Sequence, residues 1–233
     1  MITNLVIGGK SYFLDATDKF CPFTFPSSMI QGKEALIGKS DKEFKLEMVP
    51  EVETSQNKTT ILMKLNLENN NIVGDVTTTI SGLNKSYLLN SLSANNQKEN
   101  EIWKNILTEN NQKIQLEIQE LQKNDYQDEH SKANFKLKLE DGVKDVNGKL
   151  LLKPILLFPL KESLIDIEKR KLSIENDLAY VYEIQYEYQL PLGYKVEFLP
   201  ENAKTENVLG SFDIQYKVQN NLITVKQKIE SKK

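Results

Sequence analysis

A thiol, an imidazole and a carboxylate held in one hydrogen-bonded chain are enough for acyl transfer. The imidazole takes the thiol proton, and the carboxylate fixes the imidazole's tautomer and orientation. This chain has one cysteine, Cys21, and one histidine, His130. Its most conspicuous carboxylate is Asp15, which ends the run Lys10-Ser11-Tyr12-Phe13-Leu14. An aspartate entering a turn often accepts nearby backbone N–H groups, and that use competes with a catalytic one. Cys21 sits in Phe20-Cys21-Pro22-Phe23-Thr24-Phe25-Pro26, an apolar loop with two prolines. A reactive thiolate needs a helix N-terminus or a neighbouring cation to lower its pKa. Pro22 could open a helix, but Pro26 closes that option, so a buried, inert thiol is expected. His130 follows Gln127-Asp128-Glu129 in a polar connector and is expected on the surface. No usable triad is expected within the chain.

Other chemistries find less support. One histidine and one cysteine exclude the usual zinc sets, and no acidic loop follows the calcium-binding pattern. Phosphate-binding loops and dinucleotide fingerprints are absent from the sequence, so no cofactor and no metal are expected. The carboxylates Glu51 with Glu53, and Asp125 with Asp128 and Glu129, read as solvated loop charges. The net charge is -3, with 30 basic residues interleaved among 33 acidic ones. That balance offers no field to attract nucleic acid or an anionic membrane. No stretch of apolar residues is long enough for a transmembrane helix. Met1-Ile2-Thr3-Asn4 lacks the charged and apolar regions of a signal peptide, and the compartment stays open.

The elements that must position these residues show a period of two, the mark of half-buried antiparallel strands. Ile61, Met63, Leu65 and Leu67 line one face of a first run; Ile114, Leu116 and Ile118 line a second, and Phe135, Leu137 and Leu139 a third. The longest run places Tyr180, Tyr182, Ile184, Tyr186, Tyr188 and Leu190 on one side, with Glu183, Gln185, Glu187 and Gln189 on the other. Phe212, Ile214, Tyr216 and Val218 repeat the pattern. Gly8-Gly9, Asp141-Gly142, Asn147-Gly148 and Asn220-Asn221 tolerate the positive φ of tight hairpins. The tyrosine stripe is expected in the core; exposed together, those rings would form a platform for sugars. Two helices are expected within about 85–109. The better supported one, 98–109, has Ile102, Trp103, Ile106 and Leu107 on one face and Asn96 with Glu99 as a cap pair. The run 150–160, broken by Pro154 and Pro159, suits a strand buried on both faces or bridging two layers. Residues 19–50 read as loop-rich, and 124–131 and 161–171 as charged connectors.

Leu14-Asp15-Ala16-Thr17 resembles the last active-site strand of transglutaminase-like enzymes. The segment from Asn4 to Lys39, including Gln31-Gly32-Lys33-Glu34-Ala35-Leu36-Ile37, resembles the close of their papain-like core. Further likeness lies in Leu67 to Asp75, in Asn147-Gly148 with Leu150 and Pro154, and in Leu190-Pro191-Leu192-Gly193-Tyr194 running to Pro200. Leu209-Gly210-Ser211-Phe212 completes the set. The chain as a whole resembles the C-terminal half of bacterial transglutaminase-like proteins, which carry a β-sandwich domain of unknown function after the core. The resemblance implies a mainly-β chain, with antiparallel β-sandwich domains and a short helical insert, preceded by a remnant of a papain-like α+β core. It implies divisions at 1–50, 51–150 and 151–233. Asp15 alone would correspond to a triad position, while the family's cysteine and histidine would precede Met1. The expected role is a non-catalytic portion supporting a Cys–His–Asp core, with the rest of the parent polypeptide as partner. The alternative is an accessory module that binds a protein or a glycan.

Overall fold

The computed structural model describes residues 2–94, 99–109, 111–122, 128–159, 171, 176 and 178–232. Its first 50 residues form two hairpins. β1 (Thr3–Ile7) turns through Gly8 and Gly9, at φ of 58° and 81°, into β2 (Lys10–Leu14). Both φ values lie where a side chain is disfavoured, which explains the glycine pair. β3 (Glu34–Gly38) pairs with β4 (Phe44–Met48), placing Leu36 opposite Leu46. This ribbon adds regular structure to a stretch that reads as loop-rich in sequence. Its signal is the short alternation Phe44, Leu46, Met48.

The long alternating runs join one eight-stranded sheet. Its members from the middle of the chain are β5 (Lys58–Glu68), β6 (Asn71–Ser81), β7 (Ile114–Leu121) and β8 (His130–Leu139). Next come β9 (Val143–Val146) and β10 (Lys149–Leu152), a small hairpin separate from that sheet. β11 (Tyr180–Gln189), β12 (Ala203–Asn207), β13 (Gly210–Gln219) and β14 (Leu222–Ser231) complete it, in the order β12-β13-β14-β11-β5-β6-β8-β7. Neighbours are antiparallel except β11 and β5, which run parallel with Ile184 opposite Ile61. That pairing carries the sheet across residue 150, so strands from both flanking segments share it. The helical insert consists of α1 (Gly82–Ala94) and α2 (Glu99–Thr108). The mainly-β, antiparallel-rich class with a short helical insert is therefore what the periodicity indicated. Asn96, expected to cap the second helix, and the connector 161–170 lie outside the described residues.

Alternation sends one side of every strand inward. Ile61, Met63, Leu65, Val76, Phe135, Ile184 and Val225 form a continuous core with Leu88 of α1 and with Trp103 and Leu107 of α2. The Trp103 and Phe135 rings meet at 5.4 Å between centroids. The outer face is polar and crossed by ion pairs such as Lys58 with Glu183 at 2.6 Å and Lys136 with Asp75 at 2.5 Å. Such exposed pairs add little stability.

After β10 the chain crosses the inner face of the sheet without entering a strand ladder, burying Ile155 and Leu157. Its backbone is satisfied by side chains instead. The Ile155 N–H donates to the Tyr188 hydroxyl at 3.0 Å, and the Leu157 N–H to the Tyr186 hydroxyl at 2.9 Å. Tyr186 donates in turn to Gln227 Oε1 at 3.1 Å, while Gln227 Nε2 donates to the Leu157 carbonyl at 2.8 Å. Tyr186 and Tyr188 are thus core residues, and desolvation raises both phenol pKa values above the ordinary tyrosine range. An exposed tyrosine platform is excluded for these two rings.

Asn57, fully buried, ties the start of β5 to two other elements. Its Oδ1 accepts the Leu83 N–H at the start of α1 (2.9 Å), and its Nδ2 donates to the Ala179 carbonyl just before β11 (3.0 Å). Gly82 makes the approach possible: at φ 63°, a Cβ there would lie 2.5 Å from Asn57 Oδ1. Each buried group left without its partner costs about 1–3 kcal/mol. Asn57→Ala is therefore expected to destabilise the chain by about 2–5 kcal/mol in a denaturant titration. A loss below about 0.5 kcal/mol would contradict this account.

Candidate functional site

Buried Phe13 anchors β2, so the next turn begins at Asp15 with little freedom in the strand that delivers it. Asp15 Oδ1 accepts the Thr17 N–H at 3.0 Å and the Thr17 hydroxyl at 2.7 Å. Oδ2 accepts the Ser27 hydroxyl at 2.6 Å. Donation from Ser27, then from the Thr17 hydroxyl and N–H, holds the Asp15 carboxyl below its ordinary pKa. Asp15 is thus a charged acceptor in a tight turn at neutral pH. A carboxylate offers about four lone-pair positions. Three are engaged here, and one position on Oδ2 is left for a further donor.

The loop after Asp15 is moored by Asp18. Asp18 Oδ1 accepts the Phe20 N–H at 3.1 Å, and its carboxylate also accepts Ser86 Oγ at 2.8 Å and Asn90 Nδ2 at 2.9 Å. Ser86 and Asn90 stand one turn apart on α1, so a single carboxylate reaches both. At the loop's far end, buried Gln31 donates to the Pro26 carbonyl at 2.9 Å and accepts the Val52 N–H at 3.0 Å. The segment carrying Asp15 is fixed at both ends.

Cys21 lies inside this loop, half-buried, with Sγ 3.5 Å from the Phe25 carbonyl. Burial, reinforced by the negative charges of Asp18 and Asp15, pushes its thiol up to about 12. A nucleophilic cysteine needs the reverse environment. His130 opens β8, paired in register with Ser81, and is exposed. Its nearby carboxylate is Glu129, at 3.8 Å. Among the described residues no hydrogen bond links His130 to Asp15 or Cys21. The structure brings Asp15 and Cys21 into one loop and leaves His130 in the sheet.

The remaining sequence candidates scatter. Glu51 and Glu53 are exposed on the approach to β5, and Asp128 and Glu129 precede β8. Asp125 lies outside the described residues. Among those described, no group of three His, Cys, Asp or Glu side chains could hold a metal ion. No helix among them is long and apolar enough to cross a membrane.

Two surfaces emerge that residue-by-residue reading missed. One face of the β3–β4 ribbon presents Leu36, Phe44, Leu46 and Met48, with Leu36 68% and Leu46 66% exposed. The second is a polar concavity on the outer face of β11, β14 and β13. Its signal was present in the alternation of Gln185 and Gln189 against the tyrosines.

Residues 148–233 match a family model described as "Domain of Unknown Function with solved-structure structure" (DUF3858). The matched segment runs from the turn before β10 through β14, and it includes both the chain crossing and the tyrosines that hold it. No curated protein and no solved structure matches the chain.

The geometry around Cys21 makes a direct prediction. A thiol whose folded pKa lies above its unfolded value favours the folded state at pH below the unfolded pKa, and that contribution is lost as pH rises toward the folded pKa. With 9.0 as the unfolded value and about 12 in the fold, the loss falls between these two pH values. Alkylation by iodoacetamide is accordingly expected to stay slow from pH 7 to 9 in the native chain. It should accelerate at least tenfold on unfolding in urea. Native-state labelling at the rate of a free thiol would refute this environment.

Proposed function

We propose that this chain is the non-catalytic C-terminal portion of a transglutaminase-like protein, supporting a Cys–His–Asp core. Asp15 carries the reading. It is an ionised carboxylate, oriented by Ser27 and Thr17 at the end of a strand, with one acceptor position left for an imidazole N–H. The chain's own chemistry argues in the same direction. Its cysteine is held as a neutral thiol, and its histidine stands exposed in another element. In this reading the nucleophile and base belong to the preceding part of the parent polypeptide.

The apolar face of the β3–β4 ribbon supports the same assignment. Four large apolar side chains on one side of a two-stranded ribbon suit a surface that packs against another layer. In the parent, that layer would be the catalytic core. Helix α1, packed on the large sheet, would act as a rigid mount, linked to the Asp15 loop by Ser86 and Asn90 donating to Asp18.

Sequencing the DNA upstream of the Met1 codon tests the proposal first. In-frame codons for a cysteine and a histidine within a papain-like pattern are expected, and an in-frame stop without them would overturn it. In the parent enzyme, Asp15→Asn should lower kcat for glutamine-peptide deamidation or transamidation by about 10⁴. Thermal stability should change little beside that loss. A kcat within tenfold of the unaltered enzyme would remove Asp15 from the triad.

A further inference from the structure

The outer face of β11, β14 and β13 departs from the rest of the sheet. Elsewhere on this face lysines pair with carboxylates across strands, as Lys58 does with Glu183 and Lys136 with Asp75. Near the β13–β14 turn, the face instead forms a concavity of about 1040 Å³ lined mostly by amide and lysine side chains. The register arranges it as a grid. One row is Gln185, Lys226, Gln215; the next is Glu187, Thr224, Lys217; the last is Gln189, Leu222, Gln219. Four glutamines occupy the corners, and a threonine hydroxyl occupies the centre. With strands about 4.8 Å apart and about 6.8 Å per two residues, the corners frame roughly 10 by 14 Å.

Three of the corner amides are held in place. Gln185 Nε2 donates to Glu187 Oε1 at 2.6 Å, Gln215 Nε2 to Asp213 Oδ1 at 3.1 Å, and Gln189 Nε2 to the Asn221 carbonyl at 3.1 Å. Each amide keeps its carbonyl oxygen for a ligand, and Gln185 and Gln215 keep a second N–H as well, whereas Gln189 Nε2 also reaches the Leu190 carbonyl at 3.4 Å. Glu187, in the middle row, accepts Gln185 Nε2 on one of its oxygens. Lys217 and Lys226 have no ion-pair partner among the described residues.

We propose that this grid binds an acidic oligosaccharide. Hydroxyl groups both donate and accept, and so do the framing amides. The two unpaired ammonium groups complement a sugar carboxylate and outnumber Glu187, the one carboxylate in the grid. An apolar ligand is disfavoured because Leu222 is the single aliphatic residue in the lining. Strand addition is ruled out at this face, since β14 is paired on both sides. The inference uses none of the residues on which the transglutaminase-like reading rests, so each can fail alone.

The test titrates the full chain with trigalacturonate at low salt, with maltotriose as the neutral control, following backbone amide NMR shifts. Saturable shifts confined to β11, β13 and β14 are expected with the acidic probe. Lys226→Gln should weaken that binding about tenfold. The double variant Gln185→Ala, Gln215→Ala should weaken trigalacturonate binding, and melting temperatures should hold because these side chains lie on the outer face. The proposal is overturned if trigalacturonate and the oligomers of alginate and hyaluronate all fail to bind. Equal affinity for maltotriose, shifts mapping elsewhere, or an unchanged affinity in Lys226→Gln would also overturn it. So would a protein partner on this face that no saccharide displaces.

Discussion

The second layer of this fold depends on hydrogen bonds between the backbone at 155–157 and the side chains of Tyr186, Tyr188 and Gln227. A chain crossing a sheet face without strand neighbours buries peptide groups that would each cost free energy if left unpaired. Here the sheet supplies the partners from its own side chains. Ile155 and Leu157 can then enter the same core as Val225, Ile184 and the helices. Phenylalanine at either tyrosine position would fill the same volume and leave an N–H orphaned. The layer opposite the sheet is therefore part helix and part extended chain, fastened by residues whose ring surface is apolar and whose tips are polar.

Much of this was legible in the sequence because it depends on local rules. Alternation located the long strands, and Asn147-Gly148 and Gly8-Gly9 marked turns that do adopt positive φ. The tyrosine stripe read as core from its spacing alone, and the prolines around Cys21 argued against a helix starting there, where the structure has only turns and irregular chain. The parallel pairing of β5 with β11 was invisible, because nothing local records a contact between residues so distant in sequence. Gln227 did carry a signal. It takes an inner-face position between Val225 and Ile229, where an amide needs buried partners. At the candidate site, the Thr17 contact follows from Asp-x-Thr spacing, whereas Ser27 reaches Asp15 only once the intervening loop has folded back.

The neighbourhood of Cys21 also shows how charge placement decides chemistry. Two carboxylates and partial burial act together to keep the sulfur protonated, so proximity to Asp15 suppresses nucleophilicity. The same Asp18 that opposes the thiolate gains two donors from α1 and so secures the loop to the helix. A structural clamp and a reactive thiol place opposite demands on one carboxylate. In this chain the clamp prevails.

The lone parallel junction in the sheet has a consequence for how the chain assembles. β5 finds β6 through a short turn, but its other edge waits for β11, which emerges from synthesis more than a hundred residues later. Until then β5 presents a row of unpaired peptide groups to any neighbour, the usual template for misassociation. Closing such a distant contact is slow, because the entropy of the long loop is lost before the contact forms. The β5–β6 half would therefore persist during biogenesis as an open-edged intermediate, completed when the C-terminal strands dock as a group.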